Sequence, residues 1–289
     1  MLEHLNPSPQ KPRRVVVMGS GSFVGGAILG RLARDGVPVL GLSRKDVDLL
    51  APDAHLRLGS LLKNEDSFVA VSAIAPVKNP DMLVDNLVMA RAMAKALAQA
   101  QPAHVVNISS DAIYADGPVP LTEATPAAPT SLHGAMHLAR ELILGAEVKA
   151  PLAMLRPTLI YGAKDPHNGY GPNRFRRLAA EGKEIVLFGE GEERRDHVYI
   201  EDVAEIAVRV LMRKSRGSLN IATGDVASFH QLALLAKKIS GNAISVKASP
   251  RSGPMPHNGY RPFDVTAMRQ AFPDFRPTPI ERGMSLANA

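Results

Sequence analysis

Two histidines stand four residues apart, His133 and His137, in a segment whose apolar spacing predicts a helix over 130–144. Positions i and i+4 share a helix face, so both rings can address one ligand. An imidazole with an unperturbed pKa of ~6.5 exchanges a proton near neutral pH without help. The pair therefore suits general acid–base work, and mutual repulsion predicts at most one charged ring at a time. As metal ligands the two are poorly equipped: no glutamate of a metalloprotease helix lies between them and no third ligand is evident, so no metal is expected. A second signature is Gly19-Ser20-Gly21-Ser22-Phe23-Val24-Gly25. It follows the β-branched run 14–18 and opens a helical pattern over 22–34, the setting in which glycines let a backbone approach a pyrophosphate at a helix N-terminus. A dinucleotide is the expected cofactor. At the tip of the second strand, Gly41-Leu42-Ser43-Arg44-Lys45 offers no carboxylate for a ribose 2′-hydroxyl. Arg44 there suits a 2′-phosphate, so NADP is expected over NAD.

Such groups need a scaffold that gathers strand ends along one edge. Short apolar runs at 14–18, 37–42, 67–73, 104–108 and 152–155 alternate with helical patterns at 22–34, 82–99 and 130–144. Strand–helix alternation implies right-handed crossovers and a parallel sheet covered on both faces. The fold expected is α/β, a doubly wound parallel (Rossmann) sheet with a smaller C-terminal substrate-binding region. Residues 1–13 are expected as a disordered tail, 14–163 as the dinucleotide-binding domain and 164–289 as the substrate-binding region. Elements at about 197–225 return to the first domain, and helices are expected over 201–212 and 228–239. Residues 165–173, rich in Gly, Pro, Asn and His, read as a loop over a site, and 249–260 as a second irregular stretch.

Composition narrows the classes. The chain has 289 residues, 45% hydrophobic and 21% charged, as soluble globular proteins do. Zero cysteine excludes disulfides, thiolate metal sites and a cysteine nucleophile. The net charge of +6 suits an anionic partner, but aromatics are 4% and interleave with no basic cluster, so nucleic acid is not expected. No apolar run nears the ~18 residues of a membrane span, and the first residues lack a signal-peptide core. A cytoplasmic protein without membrane contact is expected.

Taken together, these segments resemble the extended short-chain dehydrogenase/reductase family of NAD(P)-dependent nucleotide-sugar epimerases, dehydratases and reductases, from Arg14 to Met284. The glycine turn resembles its G-x-x-G-F-I-G, with Ser22 for the middle glycine; Gly19, Ser22, Phe23, Val24 and Gly25 would then hold cofactor, with Ser43 and Arg44. Asp48-Leu49 resembles the acidic-Leu pair beside the adenine. Ala73, Ile74 and Ala75 resemble the small-residue strand end beneath the cofactor, and Asn86 the helix asparagine that follows. Ser109-Ser110-Asp111-Ala112-Ile113-Tyr114 resembles S-S-x-x-V-Y, which makes Ser110 the catalytic hydroxyl beside Asp111. Arg156-Pro157-Thr158-Leu159-Ile160-Tyr161-Gly162 resembles R-P-x-x-V-Y-G, with Pro157 and Leu159 near the nicotinamide and Leu159 where Asn is frequent. Gly189 to Ala204 resembles G-x-G-x-x-x-R-D-F-V-x-V-x-D-V-A, whose arginine, here Arg195, commonly binds a diphosphate; a planar charged fork fits that role. Asp264 and the 272–284 stretch resemble the family's ending.

The departure lies in the acid–base pair, Tyr-x-x-x-Lys in the family. Pro129, Gly134 and Glu141 set a register that places His133 at the Tyr position and His137 at the Lys position. His133 would exchange the substrate proton and His137 bond the nicotinamide ribose. The competing readings are a displaced donor, such as Asp111, Tyr114 or His167, or a lost activity. Candidate substrate contacts are His167, Tyr170, Asn173, Arg195 and Arg261. Ala112 supplies no acid or base for elimination, which disfavours a dehydratase. The resemblance thus implies an NADP-dependent reduction of a nucleotide-linked keto-sugar. A nucleotide-sugar epimerase is the alternative, and an NADP-binding sensor or scaffold the alternative of another class. A homodimer is a candidate assembly.

Overall fold

The structure, a computed structural model, describes residues 2–288. In chain order its first half comprises β1 (Val15–Met18), α1 (Phe23–Arg34), β2 (Val39–Leu42), α2 (Ala54–Leu61), β3 (Ser67–Ala70), α3 (Pro80–Ala100) and β4 (His104–Ile108). A 3₁₀ turn at Asp111–Ile113, α4 (Leu132–Glu147), β5 (Leu152–Pro157), β6 (Leu159–Tyr161), α5 (Pro172–Ala180) and β7 (Ile185–Phe188) follow. Next come β8 (Arg194–Arg195), β9 (His197–Tyr199), α6 (Ile200–Met212), β10 (Gly217–Ile221) and β11 (Ala227–Ser228). The chain closes with α7 (Phe229–Ser240), β12 (Val246–Ser249), β13 (Tyr260–Arg261), α8 (Thr266–Ala271) and α9 (Ile280–Asn288).

Six strands form one parallel sheet in the order β10-β5-β4-β3-β1-β2. Both faces are covered, so its strands are continuously apolar: Val15 and Val17 pack into one core layer, Val16 and Met18 into the other. The first layer holds α1 and α6 side chains such as Ile28 and Val203, the second α2, α3 and α4 side chains such as Leu58, Met93 and Leu144. The strand order reverses between β1 and β3, and doubly wound sheets bind ligands at that crevice. A third core, with Phe175, Leu187, Phe229 and Leu232, lies under α5, α7 and β7.

The expected strand over 67–73 ends at Ala70, because the N–H groups of Val71 and Ser72 both turn to Met18 O at 3.0 Å. The expected disordered tail is instead tied down. Glu3 and Arg216 exchange backbone hydrogen bonds at 2.8 Å, and the His4 ring meets Ser215 Oγ at 2.7 Å and Ala271 O at 2.9 Å. Those partners lie more than 200 residues away, beyond any local sequence signal. Helix α5 begins inside the expected loop because Pro172 occupies its first turn, where a missing N–H costs nothing. No described helix is long and apolar enough to cross a membrane.

Candidate active site

The glycine turn sits at the crevice between β1 and β3. Gly19 has φ +105°, and a Cβ there would meet Ser72 N at 2.7 Å, so glycine is required by both conformation and space. At Gly25 a Cβ would meet Gly19 O at 2.1 Å, which explains the close packing of helix on turn. Ser22 caps α1, accepting from Gly25 N at 3.0 Å. Gly26 N donates to Ser22 O at 2.8 Å, while the preceding N–H groups of Phe23 and Val24 have no partner among the described residues, and the helix dipole favours an anion there. This cradle fits a dinucleotide pyrophosphate.

Around the second strand tip the fit is looser. Arg44 is 77% exposed and paired with Asp48 at 3.2 Å, while Ser43 N–H and Oγ–H both donate to Asp46. Leu49 is buried in the second core layer, so its side chain packs the core under the crevice. Asn86 is likewise buried and spends its amide on backbone: it accepts from Ile74 N at 2.9 Å and donates to Ile74 O at 3.0 Å and Met82 O at 2.7 Å. It therefore holds the Ala73–Ala75 segment in place rather than offering a free group to a ligand.

A cleft of about 510 Å³ opens beside the turn. Ser22, Phe23, Val24, Ala73 and Ala75 line one wall, Ser110, Asp111, His133 and His137 another. Pro157 and Leu159 reach it from β5 and β6. Its second half carries His167, Tyr170, Asn173 and Arg195, joined by His197 and His257. The residues predicted to act on one ligand thus converge from seven separate segments.

Ser110 caps the 3₁₀ turn after β4: its hydroxyl accepts from Ala112 N at 3.2 Å and lies 3.4 Å from Asp111 Oδ1. Helix α4 packs tightly on that turn, since a Cβ at Gly134 would meet Ala112 O at 2.1 Å. Ser131 caps α4 by accepting from Gly134 N at 3.1 Å. This contact brings the histidines to the serine. The rings of His133 and His137 meet edge to face, centroids 4.8 Å apart, and each Nδ1 is buried without a hydrogen-bond partner among the described residues. Burial holds His133 below the usual histidine range against the opposing pull of Asp111, with His167 adding to the lowering. Burial, then Arg140 and His133, holds His137 well below it. Both rings are therefore neutral near pH 7, a stricter condition than one charge at a time.

Three other expectations are corrected by burial. Arg261, expected at the substrate, is 1% exposed and outside the cleft: it donates to Asp111 Oδ2 at 3.2 Å, Asp111 O at 2.8 Å and Asp116 Oδ1 at 2.9 Å. It braces the serine turn from behind. Tyr114, an alternative donor, is also buried away from the cleft; its hydroxyl receives Arg156 Nη1 at 2.9 Å and donates to Asn220 Oδ1 at 2.7 Å. Burial pushes that phenol up to about 12. Asn173 lines the cleft but its amide is committed, accepting from Gly162 N at 3.0 Å and donating to Ile160 O at 3.2 Å.

On the substrate side, Arg195 pairs with Glu193 at 3.1 Å and keeps further N–H groups for an anion. Tyr170 stacks on Phe188 at 4.5 Å, and its hydroxyl accepts from Phe188 N at 2.9 Å, leaving His167 the less constrained loop residue. Sequence reasoning missed His197, which stands where the family pattern has Phe. Its Nδ1 meets Arg195 O at 3.0 Å while its Nε2 is buried without a partner among the described residues. Burial lowers it to about 3, so it is a neutral ring. Among the described residues no group of three or more His, Cys, Asp or Glu could hold a metal ion.

Comparison with known proteins bears on the family and the fold. The family model described as NAD dependent epimerase/dehydratase family matches residues 15–222. A dTDP-4-dehydro-6-deoxy-D-allose reductase of Streptomyces bikiniensis is 27% identical over 137 residues, 45% of this chain and 40% of that protein. A dTDP-L-rhamnose 4-epimerase of Burkholderia thailandensis is 34% identical over 138 residues, 45% of this chain and 38% of that protein. The chain thus matches about two-fifths of the length of these two relatives. The UDP-glucose 4-epimerase of Thermotoga maritima, solved with UDP-glucose, superposes with TM-score 0.84 at 21% identity, covering 95% of this chain and 97% of that one, and so shares the fold.

Proposed function

The chain belongs to the NAD dependent epimerase/dehydratase family, and on that premise we propose that it is an NADP-dependent reductase of a nucleotide-linked keto-sugar, using histidine as its acid. The observation that carries this reading is the edge-to-face histidine pair opening, with Ser110, into the cleft that begins at the glycine turn. The α1 N-terminus would hold the pyrophosphate. When bound, the nicotinamide would supply the two electrons that a ketone carbon needs. Ser110 Oγ would hydrogen-bond the ketone oxygen, and His133 would deliver the proton that makes it a hydroxyl, or remove it in reverse. His137 would bond the nicotinamide ribose, and Arg195 the substrate diphosphate. The test is turnover of NADPH with a nucleotide-linked 4-keto sugar. Interconversion of sugar epimers on retained cofactor would mark an epimerase instead. Cofactor binding with no nucleotide-sugar affinity would mark a sensor or scaffold.

NADP preference rests on Arg44. Its pair with Asp48 is exposed, and exposed pairs are weak enough to exchange for a phosphate. Arg44→Ala is expected to weaken NADPH binding on the order of tenfold, the scale of a lost charge-assisted contact, while NADH binding stays unchanged. Tighter binding of NAD than NADP by the unaltered protein would sink the assignment.

The reading also includes a homodimer. A groove of about 460 Å³ between α3 and α4 is lined by Val84, Leu87, Val88 and Ile143. Val84 and, beside the groove, Leu142 are 56% and 65% exposed. Arg91 and Lys95 oppose Glu147 on its rim, so two copies could meet with opposite charges facing. Sedimentation should show a dimer that Leu142→Glu dissociates; a monomer at every concentration would refute it.

A further inference from the structure

The largest fully buried side chains of the described residues are two arginines, Arg261 and Arg140, and none of these roles uses the second. Arg140 lies on α4, one turn beyond His137, and is 2% exposed. Its Nε donates to Asn107 Oδ1 at 2.6 Å and its Nη1 to Ser72 O at 2.9 Å. Its Nη2 donates to Ala70 O at 2.7 Å and to Ile108 O at 2.9 Å. All four acceptors are neutral. A buried cation is ordinarily matched by a carboxylate, because desolvation of an unpaired charge is costly. The adjacent Glu141 does not serve, being held by Arg156 in two bonds at 2.9 and 2.6 Å. Burial lowers the guanidinium only to about 10, so it keeps its charge.

The acceptors have a common location. Ala70 ends β3, and Ser72 lies just beyond it and leads into Ala73–Pro76; Asn107 and Ile108 end β4 and lead into Ser109–Asp111. Both following segments line the cleft. The fork therefore sets the distance between the cofactor floor and the serine turn. Charged and titratable groups also act on the two histidines from three elements: Arg140 of α4 on His137, and Asp111 of the 3₁₀ turn and His167 of the loop after β6 on His133. Asp111 is largely committed to Arg261. Arg140 is the one among them with a permanent positive charge.

We propose that Arg140 is the positioning residue of this site, a fixed buried cation that locks the chain at the ends of β3 and β4 in register and, one turn along α4, disfavours a charge on His137. The catalytic consequence rests on reading His133 and His137 as the acid–base pair; the electrostatic effect itself does not. A neutral His137 matters because a second positive charge beside His133 would disfavour the imidazolium that His133 must form to act as an acid.

Asn107→Asp tests this without removing the fork, since it sets an isosteric carboxylate at the oxygen that Arg140 Nε already meets. Titration of the histidine rings by NMR, in the protein without ligand, should show the protonation equilibrium of His137 shifted at least about tenfold toward the charged form. Arg140→Gln should shift it the same way. Arg140→Lys, which keeps the charge and loses the fork, should leave the titration near its original position while kcat falls. Unchanged histidine titration in the folded Asn107→Asp protein would overturn the electrostatic role, and unchanged kcat in Arg140→Lys would overturn the positioning role. The titration needs no turnover. Failure to turn over any keto-sugar therefore counts against the reductase assignment and not against Arg140.

Discussion

Replacing His133 by Phe is expected to lower NADPH-dependent keto-sugar reduction by a factor on the order of 10²–10⁴, the usual contribution of a positioned general acid. Phenylalanine retains a ring against His137 and the apolar wall, so folding and NADPH affinity should be preserved. The loss should then appear in kcat rather than in cofactor binding. The pH dependence has a definite sign. Reduction consumes a proton, and the imidazolium is the form that can give it. Because burial holds His133 below the ordinary histidine range, the charged form is scarce at neutral pH. The rate of reduction should keep rising as pH falls through and below ~6.5, the free-histidine value. The reverse oxidation needs the neutral ring and should lose rate over the same interval. Both slopes should vanish with Phe at position 133. Robust turnover with an unchanged pH profile in that variant would remove His133 from the mechanism and direct attention to Asp111 or His167, which share the cleft.

Glu141→Gln should be the most destabilising conservative change near the site. Glu141 and Arg156 are side chains 8% and 11% exposed, joined by two hydrogen bonds. Removing the carboxylate charge while keeping its shape leaves a buried guanidinium with only the Tyr114 hydroxyl and a neutral amide to face. Breaking such a pair costs about 3–5 kcal/mol. At roughly 2–4 °C per kcal/mol for larger domains, Tm should fall on the order of 10 °C. Glu201→Gln is the control. Its partner Arg34 and Glu201 itself are 60% and 44% exposed, so that change should cost less than about 1 kcal/mol. Equal effects in the two variants would show that burial of the Arg156–Glu141 pair contributes nothing to stability.

The active-site wall was legible in unequal parts. The glycine turn could be read because its requirement is local: Gly19 needs a positive φ, and its neighbours in sequence are a strand and a helix. Ser110 and the histidine pair could be read because the motif and the helical spacing are short-range. Arg261 was misplaced because its partners, Asp111 and Asp116, lie 150 and 145 residues away and consume it. Tyr114 was misjudged for a similar reason, its hydroxyl being taken by Arg156 and Asn220. Arg140 left a faint signal that went unused: with Glu141 it puts two charges on the face of α4 that also carries Met136 and Leu144. A charged residue on an apolar helix face must be buried with partners or explain its exposure.

By itself, then, the sequence determined the alternation of strands and helices, the glycine turn, the serine turn and the facing of His133 and His137. Each follows from backbone geometry over a few residues, which propensity and spacing encode directly. Tertiary structure alone decided that both histidines are neutral, that Arg44 is held by Asp48, that Arg261 and Tyr114 are withdrawn from the cleft, and that a buried arginine lies beneath it. These properties depend on desolvation and on partners from distant segments. Neither exists until the sheet has closed and its two faces are covered.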